Sequence, residues 1–388
     1  MPCSFKLTLY ILKLAGQQSN TSSYTSVQFV FIDGGCVHLD RAFINRDTSM
    51  ETIILIKPRE LEYRNTELER TLREDEVLLK VHTVGICGTD MHAYRGKQPF
   101  FTYPRILGHE LGAEVIQVGR GVSGLKSGDR CSVEPYFNYK EDQAVKRGKT
   151  NCGENISVFG VHEDGGMREF IKLPAKYLHK SSTLSYEQLA LVETLGIGCH
   201  AVNRAGVQPE DLVLVIGAGP IGLAATQFAR LKKARVAVMD VNEERLKFCQ
   251  EQMKADSIIN ANSEDVHERI RKSFDGDLPT VVMDATGNPE SMKNTLNYVA
   301  YGGKIVFVGL YQGDFTFFDP LFHKKEITLM ASRNALPKDF EQIILLMEEG
   351  KIDTTPWITH RIPRDKLIET FASLLDPQMR VVKAIVEF

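Results

Sequence analysis

Short alternations of apolar and polar residues mark the first interpretable part of the chain. TIILIK (Thr52–Lys57) and EVLLKVHTVGI (Glu76–Ile86), bounded by Pro, Arg and Glu, predict β-strands. AEVIQVG (Ala113–Gly119), the turn GVSGLKSGD and RCSVEP continue the pattern, punctuated by Gly119, Gly121, Gly124 and Gly128. GVHEDGGMREFIKL (Gly160–Leu173) reads as a glycine turn followed by a strand. The period then lengthens. From Ser185 to Ala205, Ala190, Leu191, Thr194 and Leu195 fall at helical spacing, with Glu193 interrupting the apolar stretch. DLVLVIG (Asp211–Gly217) is a continuous apolar run of the kind found in buried parallel strands. LAATQFARLKKA places Leu223, Phe228 and Leu231 on one helical face. ARVAVMD, TVVMDATG, KIVFVGL and EITLMAS are further strands separated by helical or turn segments, which predicts a doubly wound α/β sheet. VVKAIVEF closes the chain as a last strand.

One polar stretch departs from this patterning: VGICGTDMHAYRGKQPFFTYPRILGHELG, Val84–Gly112. It holds Cys87, His92, His109 and Glu110, with Thr89 and Asp90 among them. Thiolate, imidazole and carboxylate are the usual zinc ligands, and a catalytic ion keeps one position open for water or substrate. Gly85 and Gly88 bracket the cysteine, and Gly108 and Gly112 bracket His109–Glu110. Glycine permits the tight backbone that brings two loops onto one ion. An isolated Cys or His is more often a packed core residue. CGTD followed by GHE is a joint pattern, which favours the metal. Asp90 is suited to accept from the outer nitrogen of His109, its plain alternative being a turn cap. Glu193 among apolar residues is costly unless paired or on a metal, and otherwise reads as a helix-surface glutamate.

A second motif follows DLVLVIG. GAGPIG supplies Gly217, Gly219, Pro220, Ile221 and Gly222 in the G-x-G-x-x-G spacing. Strand before, helix after and an acid about twenty residues on make it a dinucleotide fingerprint. The glycines allow a tight turn and close approach of a pyrophosphate to the helix N-terminus. The acid is Asp240, whose carboxylate suits the ribose 2′-hydroxyl and repels a 2′-phosphate, so NAD is the expected cofactor. A strand-end turn residue is its plain alternative. Arg245 is expected over the adenine.

Together CGTD, GHE and the fingerprint resemble the zinc-containing medium-chain dehydrogenases, the alcohol, sorbitol and threonine dehydrogenase superfamily, from Met50 to Phe388. The resemblance implies a GroES-like β-rich catalytic domain over 50–194, completed by 334–388. It implies a Rossmann domain with a doubly wound parallel sheet over 195–333. It assigns Cys87, His109, Glu110 and Glu193 to the zinc environment, with the order of the two glutamates open, and Thr89 and His92 to a proton relay. Lys383 matches a basic residue near the cofactor phosphates. Arg333 and Asn334 fall where cofactor or substrate ends. In many relatives a loop carries four cysteines around a structural zinc. Here those positions are Tyr139, Asp142, Val145 and Gly153, with Cys152 one residue out of register. One thiolate cannot close a tetrahedral site, so a single catalytic zinc per chain is expected and the structural zinc is expected to be absent. The implied reaction is hydride transfer between NAD and a secondary alcohol of a polyol or sugar acid. The run AYRGKQPFFTYPRILGHE resembles sugar-acid enzymes of the galactonate or gulonate type. Arg95, Lys97 and Arg105 could meet a carboxylate or form a solvated charged loop. Threonine-type and simple-alcohol dehydrogenases remain alternatives, as do a zinc-free quinone-type reductase and a non-catalytic binding protein.

Composition narrows the partners. A net charge of −3 over 388 residues gives no basic footprint for nucleic acid, and no apolar run is long enough to span a bilayer. Seven cysteines without a regular framework fit a reducing compartment, so a cytoplasmic enzyme is expected. The resemblance implies a homo-oligomer, dimer or tetramer. Residues 1–49 read as an extension outside the fold: Lys6–Ala15 resembles a signal peptide only faintly, interrupted by Lys13, and Gln17–Ser26 is polar.

Overall fold

The computed structural model describes Val30–Ile32, Gly35–Val37 and residues 49–388 except Phe100. Val30–Ile32 (β1) and Gly35–Val37 (β2) pair as an antiparallel hairpin. The chain divides into two units, Met1–Thr48 and Ser49–Phe388. The expectations for Lys6–Ala15 and Gln17–Ser26 lie outside the described residues.

The larger unit opens with the antiparallel pair Ser49–Lys57 (β3) and Glu60–Glu67 (β4). Glu76–Ile86 (β5) is buried along nearly its whole length, because both its faces are packed: Val77, Leu79 and Val81 enter one apolar cluster and Leu78 another with Met50 and Leu68. Gly88–Tyr94 (α1) follows it directly. Glu110–Val118 (β6), Arg130–Val133 (β7), Tyr136–Asn138 (β8), Gln143–Lys146 (α2), Ile156–Val158 (β9), Phe170–Pro174 (β10) and Leu178–Ser181 (β11) complete the β-rich part. The main sheet runs β11-β7-β6-β5 and continues into two strands from the chain's end, with β10 also pairing β5.

Tyr186–Ala205 (α3) begins at a capping box in which Ser185 and Gln188 satisfy each other's backbone N–H groups. It ends at Gly206, in the left-handed conformation at φ 63°. Leu189 to Leu195 are all buried, Glu193 included. The expected surface alternative for Glu193 therefore does not hold. The proposed division between 194 and 195 falls inside this helix.

Beyond α3 the chain alternates strand and helix: Leu212–Ile216 (β12), Pro220–Leu231 (α4), Arg235–Asp240 (β13), Glu243–Glu251 (α5), Ser257–Asn260 (β14) and Val266–Ser273 (α6). Val281–Asp284 (β15), Pro289–Tyr298 (α7), Lys304–Phe307 (β16), Asp319–Lys324 (α8) and Thr328–Ala331 (β17) continue it. The six strands form one parallel sheet in the order β14-β13-β12-β15-β16-β17. The order reverses between β12 and β15, and such a switch point leaves a ligand crevice at the strands' carboxyl ends. After Pro337–Glu348 (α9), Ile358–Pro363 (β18) and Lys383–Glu387 (β19) return to the first sheet. β19 runs antiparallel to β5, with Ala384 opposite Ile86. The result is the GroES-like domain joined to a Rossmann sheet that the motifs implied.

Candidate active site

The metal candidates come from the ends of two paired strands. In the β5–β6 register Gly85 lies opposite Glu110, so Cys87, just past β5, lies near His109, just before β6. Cys87 is the N-cap of α1, and its N–H donates to Asp90 Oδ2 at 2.9 Å. The Cys87 sulfur, a His109 ring nitrogen and a Glu110 oxygen lie within 4.8 Å of one another. Cys87 is partly open, whereas His109 and Glu110 are buried. His109 Nδ1 and Asp90 Oδ1 are buried without a hydrogen-bond partner. Native interiors rarely leave such atoms unmatched. Bond lengths of about 2.0–2.3 Å let zinc sit among donors this close after slight contraction. His109 Nδ1 lies 3.8 Å from Asp90 Oδ1, which orients the ring. Burial opposes charge on His109, but the Cys87 and Asp90 charges outweigh it and raise its pKa well above the usual value. The donor set attracts a cation, and it fits zinc.

Glu193 comes from α3 and lies outside that convergent group. The hydroxyl of Tyr136, the first residue of β8, donates to Glu193 Oε1. Burial raises the Glu193 pKa despite the nearby His109, and burial with the Glu193 charge raises that of Tyr136. Thr194 donates to Glu110 Oε1 at 2.8 Å. Lys383, expected at the cofactor phosphates, is instead 2% exposed, with its ammonium 2.5 Å from both Glu110 oxygens and hydrogen-bonded to Oε1. The β19–β5 pairing causes this, since it sets Lys383 across from Cys87. Sequence reasoning missed Tyr136, a lone tyrosine in a three-residue strand without periodic signal. Thr89 is half-buried and His92 exposed. They lie three apart on α1 and so share a face. Partial burial and then the Arg95 and Lys97 charges lower the His92 pKa.

The dinucleotide fingerprint occupies the turn between β12 and α4. Gly217 has φ 98°, which favours glycine. At Gly222 a methyl group would sit 1.7 Å from the Gly217 carbonyl oxygen. Around Gly219, the N-cap of α4, a methyl group meets nothing within 4 Å. That open space before a helix N-terminus, with Pro220 and Ile221 starting the helix, fits a pyrophosphate. Asp240 ends β13 beside this turn and accepts from Ala218 N–H at 2.6 Å and Asn242 N–H at 2.8 Å. Arg245 is exposed in the first turn of α5. The turn after β16 reaches the metal-bearing loop, where Gln312 donates to the Lys97 carbonyl at 3.5 Å. Arg95 and Lys97 are exposed, whereas Arg105 is engaged with Asp164 at 3.3 Å and Thr102 at 2.7 Å.

At the positions where relatives carry loop cysteines, Tyr139 donates to Glu163 at 2.8 Å. Asp142 caps α2 through Val145 N–H at 2.9 Å and also takes Glu154 N–H. Asn151 donates to the Arg333 carbonyl at 2.8 Å, and Asn334 donates back to the Asn151 carbonyl at 2.9 Å. These bonds tie the loop to the end of the parallel sheet.

Two family models match: an alcohol dehydrogenase GroES-like domain over 73–183 and a zinc-binding dehydrogenase over 220–349. An L-galactonate-5-dehydrogenase of Escherichia coli (strain K12) is 41% identical over 341 residues, 88% of this chain and 100% of that protein. A sorbitol dehydrogenase of Ovis aries is 33% identical, covering 76% of this chain and 85% of that protein. Among solved structures, an E. coli alcohol dehydrogenase (rspB) complexed with NADH superposes with a TM-score of 0.82 at 29% identity, covering 88% of this chain and all of that one (100%).

Proposed function

Because the chain belongs to the zinc-type alcohol dehydrogenase family, we propose that it transfers a hydride between NAD and the carbinol carbon of a secondary alcohol in a polyol or sugar acid, an aldonate in the first place. The observation that carries the reading is the convergence of Cys87, His109 and Glu110 in a protein with an intact dinucleotide turn. The 41% identity to an L-galactonate-5-dehydrogenase across its full length supports the aldonate. Exposed Arg95 and Lys97 near the metal loop offer charge for a carboxylate.

Cys87, His109 and Glu110 would hold the zinc, with Asp90 orienting His109. Bound zinc supplies Lewis-acid polarisation of a hydroxyl oxygen. Glu193 faces the same site and holds the water or substrate hydroxyl. Thr89 takes the hydroxyl proton and hands it along the α1 face to His92, which delivers it to solvent. A neutral His92 is needed for that, and its partial burial with the Arg95 and Lys97 charges favours the neutral form. Gly217, Gly219, Pro220, Ile221 and Gly222 receive the pyrophosphate, Asp240 the ribose, and Arg245 covers the adenine. Residues 50–194 with 334–388 form the catalytic part and 195–333 the cofactor part. No described helix is long and apolar enough to cross a membrane. Residence in the cytoplasm and assembly as a dimer or tetramer belong to the same reading.

A panel of aldonates and polyols with NAD, followed by NADH absorbance, tests this. We expect turnover with an aldonate, abolished by a chelator and restored by zinc. Turnover confined to polyols would move the substrate class, and none with either would remove the reading.

A further inference from the structure

The two glutamates beside the candidate metal site stand in different relations to it. Glu110 is part of the convergent group with Cys87 and His109, and Glu193 is not. Both are buried, at 1% and 4% exposure, so solvent does not separate them. Their partners do. Glu110 is held by Thr194 and Lys383. Glu193 accepts at Oε1 from the phenol of Tyr136. Tyr136 is itself 2% exposed, with its ring edge-on to Phe340 at 6.3 Å between centroids. Packing therefore aims its hydroxyl, and the hydroxyl carries a single proton to donate.

We propose that Tyr136 is a positioning residue that divides labour between the two carboxylates. Its hydroxyl holds Glu193 back from Cys87 and His109, so that Glu110 remains with the ligand group and Glu193 serves the open position. This rests on the reading of Cys87, His109 and Glu110 as zinc ligands with Glu193 beside them. A catalytic zinc needs an open position, and four protein ligands close it. A buried glutamate with both oxygens free could swing onto the ion.

Tyr136→Phe removes the hydroxyl and almost no volume. Without the tether, Glu193 joins the ion and the site closes. Zinc release to a chelator then slows about tenfold or more, the scale on which residues behind metal ligands act. At the same time kcat falls, and the visible spectrum of the cobalt-substituted protein changes. A merely structural tyrosine would loosen zinc instead. In Tyr136→Phe combined with Glu193→Gln, release returns to the rate of Glu193→Gln alone. If Tyr136→Phe does not fold, Tyr136→Met also lacks the hydroxyl while filling most of the space. Release as fast as or faster than in the wild type, with Glu193→Gln still altering the cobalt spectrum, overturns the proposal and leaves the metal reading intact. If Glu193→Gln changes neither release nor spectrum in either background, Glu193 is not at the metal and the underlying reading fails.

Discussion

Cys87 combines three tasks in one residue: it ends a buried strand, caps α1 and offers a thiolate next to His109 and Glu110. Serine could still cap the helix, but its hydroxyl stays protonated and binds zinc poorly. Cys87→Ser should therefore lower zinc from about one per chain to near zero after dialysis, with the fold kept. Metal analysis and circular dichroism check this, and two tightly held zincs in the wild type would show a second site. His92 makes a pH prediction. Protonated His92 cannot accept the relayed proton, and burial with Arg95 and Lys97 lowers its pKa. The acid limb of kcat/KM should therefore lie below the ordinary histidine value of about 6.5. His92→Asn should abolish that limb and reduce kcat by about tenfold or more. An unchanged profile would leave His92 an exposed histidine without a role. Lys383 shows how a residue's chemistry can be legible while its address is not: its positive charge suited phosphates, yet strand pairing buries it on Glu110.

Among the elements, those with a clear apolar pattern were foreseen, including the four-residue β7, β15, β16 and β17, whereas strands without one were not, the eight-residue β4 among them. α3 and α4 carry enough turns for a pattern and have clear caps. β8, β9 and β14 span three or four residues each, too few to alternate, and tertiary pairing alone makes them strands. Helix ends also depend on distant residues. The ammonium of Lys325 donates to the carbonyls of Leu296, Asn297 and Val299 at the end of α7, at 3.0, 3.0 and 2.7 Å. A cation there satisfies orphan carbonyls and complements the helix dipole. Lys325→Met keeps the aliphatic stem and strands those oxygens, so stability should fall by about 1–3 kcal/mol in urea unfolding, with zinc content unchanged. A shift within error would mean water replaces the ammonium. The loop at Tyr139–Gly153 belongs with this case, since hydrogen bonds of Tyr139, Asp142 and Asn151 to partners distant in sequence or along the loop fix it.

Across the molecule, the parallel sheet and the metal-bearing sheet must face one crevice for a hydride to pass, so cofactor choice reports on their joint geometry. Asp240 ends β13 beside the Gly217–Gly222 turn, where a carboxylate suits a free ribose 2′-hydroxyl on the proposed reading. NAD should exceed NADP by about a hundredfold in kcat/KM, roughly 2.7 kcal/mol. Asp240→Ser should narrow that gap with zinc still bound. Equal use of both by the wild type would show that Asp240 serves only its backbone partners, Ala218 and Asn242. The fold class, the strand–turn–helix around Gly217–Gly222 and the candidate metal donors Cys87, His109 and Glu110 were all legible along the chain, because period, glycine spacing and ligand chemistry are local properties. The meeting of Cys87 with His109, the return of β19 beside β5, the burial of Lys383 on Glu110 and the hold of Tyr136 on Glu193 were decided only in three dimensions. Each depends on strand register or helix packing between segments that are distant in sequence, and a carboxylate's role follows from which neighbour reaches it first.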